Sequence, residues 1–228
     1  MPPVISMLVP SRNRSHLIDE TLHSFLDLAD DPSRIEIMVR LHASDADSLR
    51  WATETKLPVR VVIGDDADGY RSISNFVNCL AAMARGSWFG LWSDENRIQT
   101  KGWDTLVSAH DARECRILYA RVLNNSGQII PFISRRLYEV LGHAGQTAHC
   151  DCYLNSLGQL ADVVTYLPID TKMGPNARVA ERDIWATWRE YRGEECARLF
   201  DIDKIKLGAY LGRPLGSWST RDAAENPW

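Results

Sequence analysis

The first hundred residues alternate between continuous apolar runs and amphipathic segments. The apolar runs are found at residues 4–9, 35–41, 59–63 and 87–92. An unbroken apolar run is typical of a strand covered on both faces of a sheet. The segments between these runs carry apolar residues at the spacing of a helix, and we predict helices over residues 15–28, 44–56 and 73–85. This alternation predicts βαβ units and a mostly parallel sheet.

The ends of these helices are predicted from their capping residues. Ser15 and Ser44 stand where the first two helices begin, and serine is a favoured N-cap residue. Gly86 follows the third helix, and a glycine in the left-handed conformation commonly ends a helix.

The second half of the chain continues the pattern with shorter elements. We predict helices near residues 103–112, 135–141 and 151–159, and strands near residues 116–120, 129–133 and 163–167. From residue 181 onward the pattern is helical. The tail from residue 213 contains Pro, Gly and Ser and is expected to be irregular and loosely packed. The expected organisation is therefore a core domain over residues 1–170, with a helical extension over residues 171–228 packed on it.

Composition limits the class of protein. The chain has 228 residues, of which 45% are hydrophobic, and its formal net charge is −4. No apolar run approaches the ~18 residues that a membrane span needs, and the first residues do not resemble a signal peptide. We therefore expect a soluble, cytoplasmic protein with reduced cysteines. The segment 149–152 reads His-Cys-Asp-Cys, but no second Cys/His pair completes a tetrahedral zinc site.

Two adjacent acids, Asp94 and Glu95, directly follow the apolar run at residues 87–92. A strand delivers the residues at its carboxyl end to the crevice where α/β proteins bind ligands. Two carboxylates at that edge repel each other, so they need a cation or a proton between them. Mg²⁺ or Mn²⁺ held by one or two carboxylates and by substrate phosphates satisfies this need. The alternative is that Asp94 caps a loop and Glu95 is solvated.

Four segments resemble one enzyme class in their order and spacing. They are Val9-Pro-Ser-Arg-Asn-Arg14, the helix 75–86 that ends in Ala-Arg-Gly, Ser93-Asp94-Glu95, and Thr100-Lys-Gly-Trp-Asp104. Together they resemble the GT-A glycosyltransferases, in particular the family 2-like enzymes, over roughly residues 4–168. The resemblance implies an α/β fold with a mostly parallel central sheet flanked by helices, and a helical C-terminal extension. It also implies metal-dependent transfer of a sugar from a nucleotide-sugar donor, expected to be a UDP-sugar, to an acceptor hydroxyl.

The resemblance also assigns candidate site residues. Those expected to bind the donor are Pro10, Ser11, Arg12, Asp45, Arg71, Asn75 and Asp94. Asp94 and Glu95 are expected to bind the metal, Mn²⁺ or Mg²⁺. Asp151 is expected to act as the general base, because a carboxylate near the acceptor hydroxyl can remove its proton; His149 is the second choice. Trp103 is a candidate for the acceptor side or for the core.

The sequence departs from the family pattern at several points. The second strand lacks the usual Asp-Asp-Gly-Ser ending, so either Asp45 or Asp47 would approach the base or ribose. No histidine follows His149, which leaves Asp170 as the nearest third metal ligand. Arg14 is interpreted as a solvated residue at a helix start, with phosphate or base contact as the alternative.

Two other function classes are considered. A nucleotidyltransferase would carry a glycine-rich loop after its first strand, which is absent from residues 10–14. A catalytically degenerate relative that binds a nucleotide or a glycan is the other. The acceptor is left open among a glycan, a protein, a small molecule and a hydroxylated base of modified DNA.

Overall fold

The structure is a computed structural model that describes residues 4–65, 72–124, 129–174, 187, 191 and 193–217. Its strands are β1 (Ile5–Pro10), β2 (Ile35–His42), β3 (Val59–Gly64), β4 (Trp88–Leu91), β5 (Asn96–Ile98), β6 (Ile117–Val122), β7 (Ile129–Ser134) and β8 (Val164–Met173). Its α-helices are α1 (Ser15–Asp27), α2 (Ala46–Glu54), α3 (Ile73–Met83), α4 (Trp103–Ser108), α5 (Arg135–Leu141), α6 (Cys150–Ala161) and α7 (Glu194–Leu211).

The described strands form one sheet in the order β3-β2-β1-β4-β7-β6-β8-β5. Strands β1 to β4 are mutually parallel, whereas β7 runs antiparallel to both β4 and β6, and β5 antiparallel to β8. The predicted α/β class is confirmed, and the sheet is mostly but not fully parallel. The carboxyl ends of β1 to β4 therefore share one edge of the sheet, which we call the carboxyl edge; the opposite edge is the amino edge.

Both faces of the sheet are covered, as the apolar runs predict. All six residues of β1 are buried. Leu8 packs into the cluster formed with α3, α5, α6 and α7, while Met7 and Val9 pack into the cluster formed with α1 and α4. Alternate side chains of one strand thus pack into two hydrophobic layers, one on each face of the sheet. Burial on both faces excludes water from the strand ends that carry the site.

Some predicted element ends are wrong. Arg14 rather than Ser15 is the N-cap of α1, and its side chain makes no capping hydrogen bond. Asp45 rather than Ser44 caps α2, and its side chain accepts from the Ser48 N–H. Helix α3 ends at Met83 without a left-handed glycine.

Gly86 has another structural role, close to the start of β1. A Cβ at this position would lie 2.6 Å from the backbone nitrogen of Ser6. The glycine therefore allows the chain before β4 to approach β1 closely.

The short strand β5 is not among the strands that the sequence pattern predicts. It pairs antiparallel with the end of β8, from Asn96↔Met173 to Ile98↔Thr171. The acids Asp94 and Glu95 therefore lie in a tight turn between two strands. Trp92 Nε1 donates to the Asn96 carbonyl across this turn at 2.6 Å, which fixes the backbone that carries both acids.

Helix α7 is the described part of the predicted helical extension. Its Asp203 is fully buried and accepts from Tyr153 Oη at 2.6 Å, with His143 Nε2 at 2.7 Å. Lys206 donates to the Leu141 carbonyl. These polar contacts join α7 to α5 and α6. No helix in the described ranges combines the length and hydropathy needed to cross a membrane.

Candidate functional site

The acid pair lies at the carboxyl edge, beside the end of β1. Strands β1 and β4 are parallel neighbours with Leu8 opposite Leu91. Ser11 and Asp94 each lie three residues beyond that pair, and they meet: Ser11 Oγ donates to Asp94 Oδ2 at 2.6 Å. The register of the sheet thus places the predicted donor-binding serine against the predicted metal-binding acid.

Arg14 lies between the two carboxylates. Its Nη1 is 3.2 Å from Asp94 Oδ1 and 2.6 Å from Glu95 Oε2. Its side chain is 23% exposed, whereas those of the acids are 6% and 7% exposed. The interpretation of Arg14 as a solvated helix-start residue is therefore wrong, because its guanidinium group is the cation nearest to the pair. Paired acids at a buried edge require a cation, but no local pattern in the sequence links Arg14 to them.

One guanidinium group does not fully compensate two buried carboxylates. Burial raises the pKa of Glu95 to about 7, against the attraction of Arg14 and with the repulsion of Asp94. Burial likewise raises the pKa of Asp94, opposed by Arg14 and by the hydrogen bond from Ser11. Both carboxyl groups are therefore easier to protonate than ordinary acids, and Glu95 most clearly so.

Helix α1 also holds the turn that carries the acids through a hydrogen bond to its backbone. Thr21 of α1 is fully buried, and its Oγ1 donates to the Asp94 carbonyl at 2.9 Å. Helix α1 therefore positions two residues at the turn that carries the acids, the arginine at its N-cap and a threonine about two helical turns later.

The loop between β1 and α1 has a fixed conformation. Asn13 has φ = 56°, the left-handed region that asparagine tolerates better than most residues. Its backbone N–H donates to Asp45 Oδ2 at 2.5 Å. Asp45 is 3% exposed; burial would raise its pKa, but the Ser48 and Asn13 contacts lower it. The structure thus gives this predicted donor ligand a structural role, in which it caps α2 and holds the loop that carries Arg14.

The other predicted donor residues have different surroundings. Pro10 ends β1 as predicted. Arg12 is half-buried and makes no ion pair with a described residue, and Asn75 is exposed in the first turn of α3. Arg71 lies outside the described residues.

Asp170 is not brought to the acid pair. It lies on β8 and forms an ion pair with Arg121 Nη2 at 2.7 Å. Glu95 instead neighbours Gly174, whose N–H donates to the Glu95 carbonyl, and four residues of strand separate that glycine from Asp170 by about 13 Å. The prediction of Asp170 as a third metal ligand is therefore wrong. Within the described ranges, no three His, Cys, Asp or Glu side chains are grouped as a metal site.

Asp151 lies in the first turn of α6, and His149 is the N-cap of that helix. Gly158, near the other end of α6, packs against Ile117 at the start of β6, while the Tyr119 hydroxyl reaches the Asp151 carbonyl. Helix α6 therefore runs antiparallel to β6, and its first turn points toward the carboxyl edge.

The two candidate bases differ in their environments. Asp151 is half-buried, and burial raises its pKa, partly offset by hydrogen bonds that include the Cys152 thiol. His149 is 5% exposed, with Nε2 3.0 Å from Thr187 Oγ1, and burial lowers its pKa to about 4. The low pKa keeps the buried His149 neutral at pH 7.

Trp103 belongs to the core and not to an acceptor surface. It is fully buried and its Nε1 donates to the Phe25 carbonyl at 3.0 Å. Its ring stacks on Phe132 at a centroid distance of 5.8 Å. The prediction of an acceptor contact by this indole is therefore wrong, because its surface is buried in the core and its Nε1 donates to a backbone carbonyl.

Comparisons with known proteins identify the fold. No family model matches the sequence, and no curated protein matches it. Among solved structures, S. aureus TarS 1-349 in complex with UDP is 14% identical, with a TM-score of 0.62 over 91% of this chain and 70% of that one. The complex of TarS 1-349 with UDP-GlcNAc has the same identity and TM-score, with 91% and 71% covered.

A longer TarS structure is 13% identical, with a TM-score of 0.59 over 96% of this chain, and this chain spans 44% of its length. At such identities the likeness concerns the fold alone. The chain therefore has the GT-A glycosyltransferase fold that the sequence pattern predicts, with its acid pair at the carboxyl edge of the sheet.

Proposed function

We propose that this protein transfers a sugar from a nucleotide-sugar donor, a UDP-sugar, to an acceptor hydroxyl. The observation that carries the proposal is the incompletely compensated acid pair at the carboxyl edge of a GT-A fold. Adjacent buried acids with raised pKa values are costly to a fold, and they are concentrated at functional sites. The solved structures of similar fold include complexes with UDP and with UDP-GlcNAc, which supports this donor class.

Asp94 and Glu95 are the residues that would hold a divalent ion, Mg²⁺ or Mn²⁺. Glu95 Oε1 accepts no hydrogen bond from a described residue, and Mg²⁺ needs only one or two carboxylates when substrate phosphates complete its shell. The residues therefore fit the ion without a third protein ligand. When bound, the ion would offset the charge that develops on the diphosphate leaving group.

The chain itself supplies the remaining parts of the reaction. Ser11 and Thr21 hold Asp94 in place, so the carboxylate need not reorganise when the donor arrives. Arg12, half-buried beside Ser11, is proposed to contact the nucleotide base. Asp151 accepts the proton of the acceptor hydroxyl, and its raised pKa increases its basicity.

A thermal-shift screen tests the donor class directly. UDP and UDP-GlcNAc are added to the protein with Mn²⁺ or with EDTA, and uridine is added as the control that lacks phosphate. We expect stabilisation by UDP that is larger in Mn²⁺ than in EDTA, by mass-action linkage. Glu95→Ala should abolish that difference. Absence of any stabilisation by UDP in either buffer would contradict the proposal.

Transfer itself is tested through the base. Asp151→Asn keeps the size of the side chain and removes its basicity, so donor binding should persist while turnover falls by about 10²-fold or more. Release of UDP from UDP-GlcNAc is the measurement, with an added panel of sugar, peptide and hydroxymethylated DNA acceptors. Donor binding without any turnover in the wild-type protein would identify a binding protein and not an enzyme.

A further inference from the structure

The guanidinium group of Arg14 is anchored through only one of its nitrogens. Nη1 makes both contacts to the acid pair, at 3.2 Å to Asp94 and 2.6 Å to Glu95. Nη2 and Nε make no hydrogen bond to a described residue. An arginine has five N–H donors in a planar fork, so the edge formed by Nε and Nη2 is available while the opposite corner is fixed.

The anchoring makes this edge a defined binding element. Both acids that hold Nη1 are buried, and Asp94 is itself held by Ser11 and Thr21. A flexible surface arginine loses side-chain entropy when it binds an anion, whereas an arginine fixed by two carboxylates has already lost most of it. The planar Nε/Nη2 edge matches two oxygens of a phosphate in the bidentate manner.

The surroundings of Arg14 favour a ligand anion at the Nε/Nη2 edge rather than a third carboxylate of the protein. Arg14 is the N-cap of α1, a helix of 13 residues with no acidic residue in its first turn. The positive end of the helix dipole is therefore not compensated by an acidic side chain of the helix's own first turn. The side chain is 23% exposed at the carboxyl edge, so a ligand can reach it from the crevice.

We propose that Arg14 binds the diphosphate of the donor through its Nε/Nη2 edge while Nη1 remains on the acid pair. This inference rests on the proposed function, and it extends it: part of the affinity for a nucleoside diphosphate is independent of the divalent ion. Arg14 then has two tasks at one site, because it compensates the acids before the donor arrives and contacts the phosphates afterwards.

Calorimetric titration of UDP and of uridine in EDTA tests this role. The proteins compared are the wild type, Arg14→Met, Arg14→Lys and a matched control, Arg60→Met. Arg60 also pairs with a buried carboxylate, that of Glu36 at 2.7 Å, but lies at the amino edge of the same sheet. Removal of either arginine leaves a buried acid without one of its cations, and only Arg14 is near the proposed diphosphate.

We expect Arg14→Met to lower the affinity for UDP in EDTA about ten- to hundredfold, the range for a lost charge-assisted contact. Uridine binding should be unchanged, and Arg14→Lys, which keeps the charge without the fork, should fall between. Arg60→Met should bind UDP as the wild type does. In Mn²⁺ the wild type should still bind UDP more tightly than Arg14→Met.

A second background keeps the test decisive if Arg14→Met folds poorly. Glu95→Gln and the double variant Arg14→Met/Glu95→Gln are then compared in EDTA, where no metal binding is lost through Glu95. Equal UDP affinity of these two proteins, or of the wild type and Arg14→Met, would overturn the role of Arg14 and leave the donor class intact. A wild-type protein that binds UDP in neither buffer would overturn both.

Discussion

Two buried clusters of acid and arginine lie at opposite edges of the same sheet. At the amino edge, Glu36 accepts hydrogen bonds from Ser6, from Arg60 and from both the backbone and the side chain of Arg85. Burial would raise the pKa of Glu36, but these donors lower it to about 2. At the carboxyl edge, one nitrogen of Arg14 serves two acids, and the pKa of Glu95 is about 7.

The difference lies in how completely each acid is compensated. Glu36 has a full set of donors and stays ionised, so it links three strands and the chain before β4 as a structural group. Asp94 and Glu95 share one nitrogen of Arg14, and among the described side chains only Ser11 also donates to either carboxylate, so both acids have raised pKa values. Burial alone therefore does not distinguish the two clusters; the number of donors to each carboxylate does.

The largest expected effect concerns the compensated cluster. An ordinary pKa of 4.5 lowered to about 2 corresponds to roughly 3 kcal/mol of stability. This stability is fully present above pH 4.5 and is lost as the pH falls toward 2. We expect Glu36→Gln to lower the free energy of unfolding at pH 7 by about 3 kcal/mol, because the buried carboxylate loses its ion pairs with two partly exposed arginines.

Urea denaturation at pH 7 measures this loss, with Glu54→Gln on the exposed end of α2 as the control. UDP binding by the folded fraction of Glu36→Gln should be unchanged. A loss of unfolding free energy below about 1 kcal/mol is the scale of an ordinary surface ion pair. It would show that Glu36 forms no stronger contacts than that, and the contrast between the two acid clusters would disappear.

Protonation of Glu95 affects the stability of the fold in the opposite direction from protonation of Glu36. The folded Glu95 pKa of about 7 exceeds the ordinary value of 4.5 mainly because of burial, so between these values the folded state holds a proton that the unfolded state has released. Stability from this group is therefore complete below pH 4.5 and is lost as the pH rises through 7. Glutamine resembles the protonated form and does not incur this loss.

We expect Glu95→Gln to be more stable than the wild type by about 2 kcal/mol at pH 8, and equal to it at pH 4.5. The pKa difference corresponds to roughly 3 kcal/mol, and part of it is offset because the amide attracts Arg14 less. Urea denaturation without metal at both pH values is the measurement. A variant less stable than the wild type at pH 8 would make Glu95 a structural acid like Glu36.

The sequence predicts much of this contrast, but not all of it. Continuous apolar runs locate the buried strands, and adjacent acids after one of them locate Asp94 and Glu95. Arg14 is missed because its acid partners lie 80 and 81 residues away along the chain, and no local pattern connects them. Only the register of β1 against β4 brings them together.

Other errors have equally physical causes. Strand β5 has three residues, too few for a period to appear. Asp45 carries a charge that suits either a ligand or a cap, and the fold uses it for a cap. Trp103 follows a glycine with φ = 71° that turns the chain into α4 and directs the indole inward. In each case the residue type permits two roles, and only packing selects one.

A third prediction concerns the loop that positions Arg14. Asn13 has a left-handed backbone, which costs most residues about 1–2 kcal/mol and costs glycine little. We expect Asn13→Ala to lose about 1 kcal/mol of stability and Asn13→Gly to lose less. If alanine is tolerated without loss by urea denaturation, the loop is not held in this conformation and Arg14 is not pre-positioned.

The smallest expected effect comes from the support beneath the acids. Thr21 is fully buried, and its hydroxyl donates to the Asp94 carbonyl. Thr21→Val keeps the shape of the side chain and removes this donor, which should cost about 1 kcal/mol because a buried carbonyl loses its hydrogen bond. Thr21→Ser is the control: it keeps the hydroxyl donor and removes only the methyl group.

The same pair of variants separates support from charge. Since Thr21 contacts the backbone of Asp94 and no carboxylate, the pH dependence of stability between pH 4.5 and 8 should keep its wild-type shape in Thr21→Val. UDP affinity in Mn²⁺ should fall by less than tenfold, because the acids remain but their turn is less firmly held. A larger fall in affinity, or a flattened pH profile, would mean that Thr21 sets the electrostatics of the pair and not only its position.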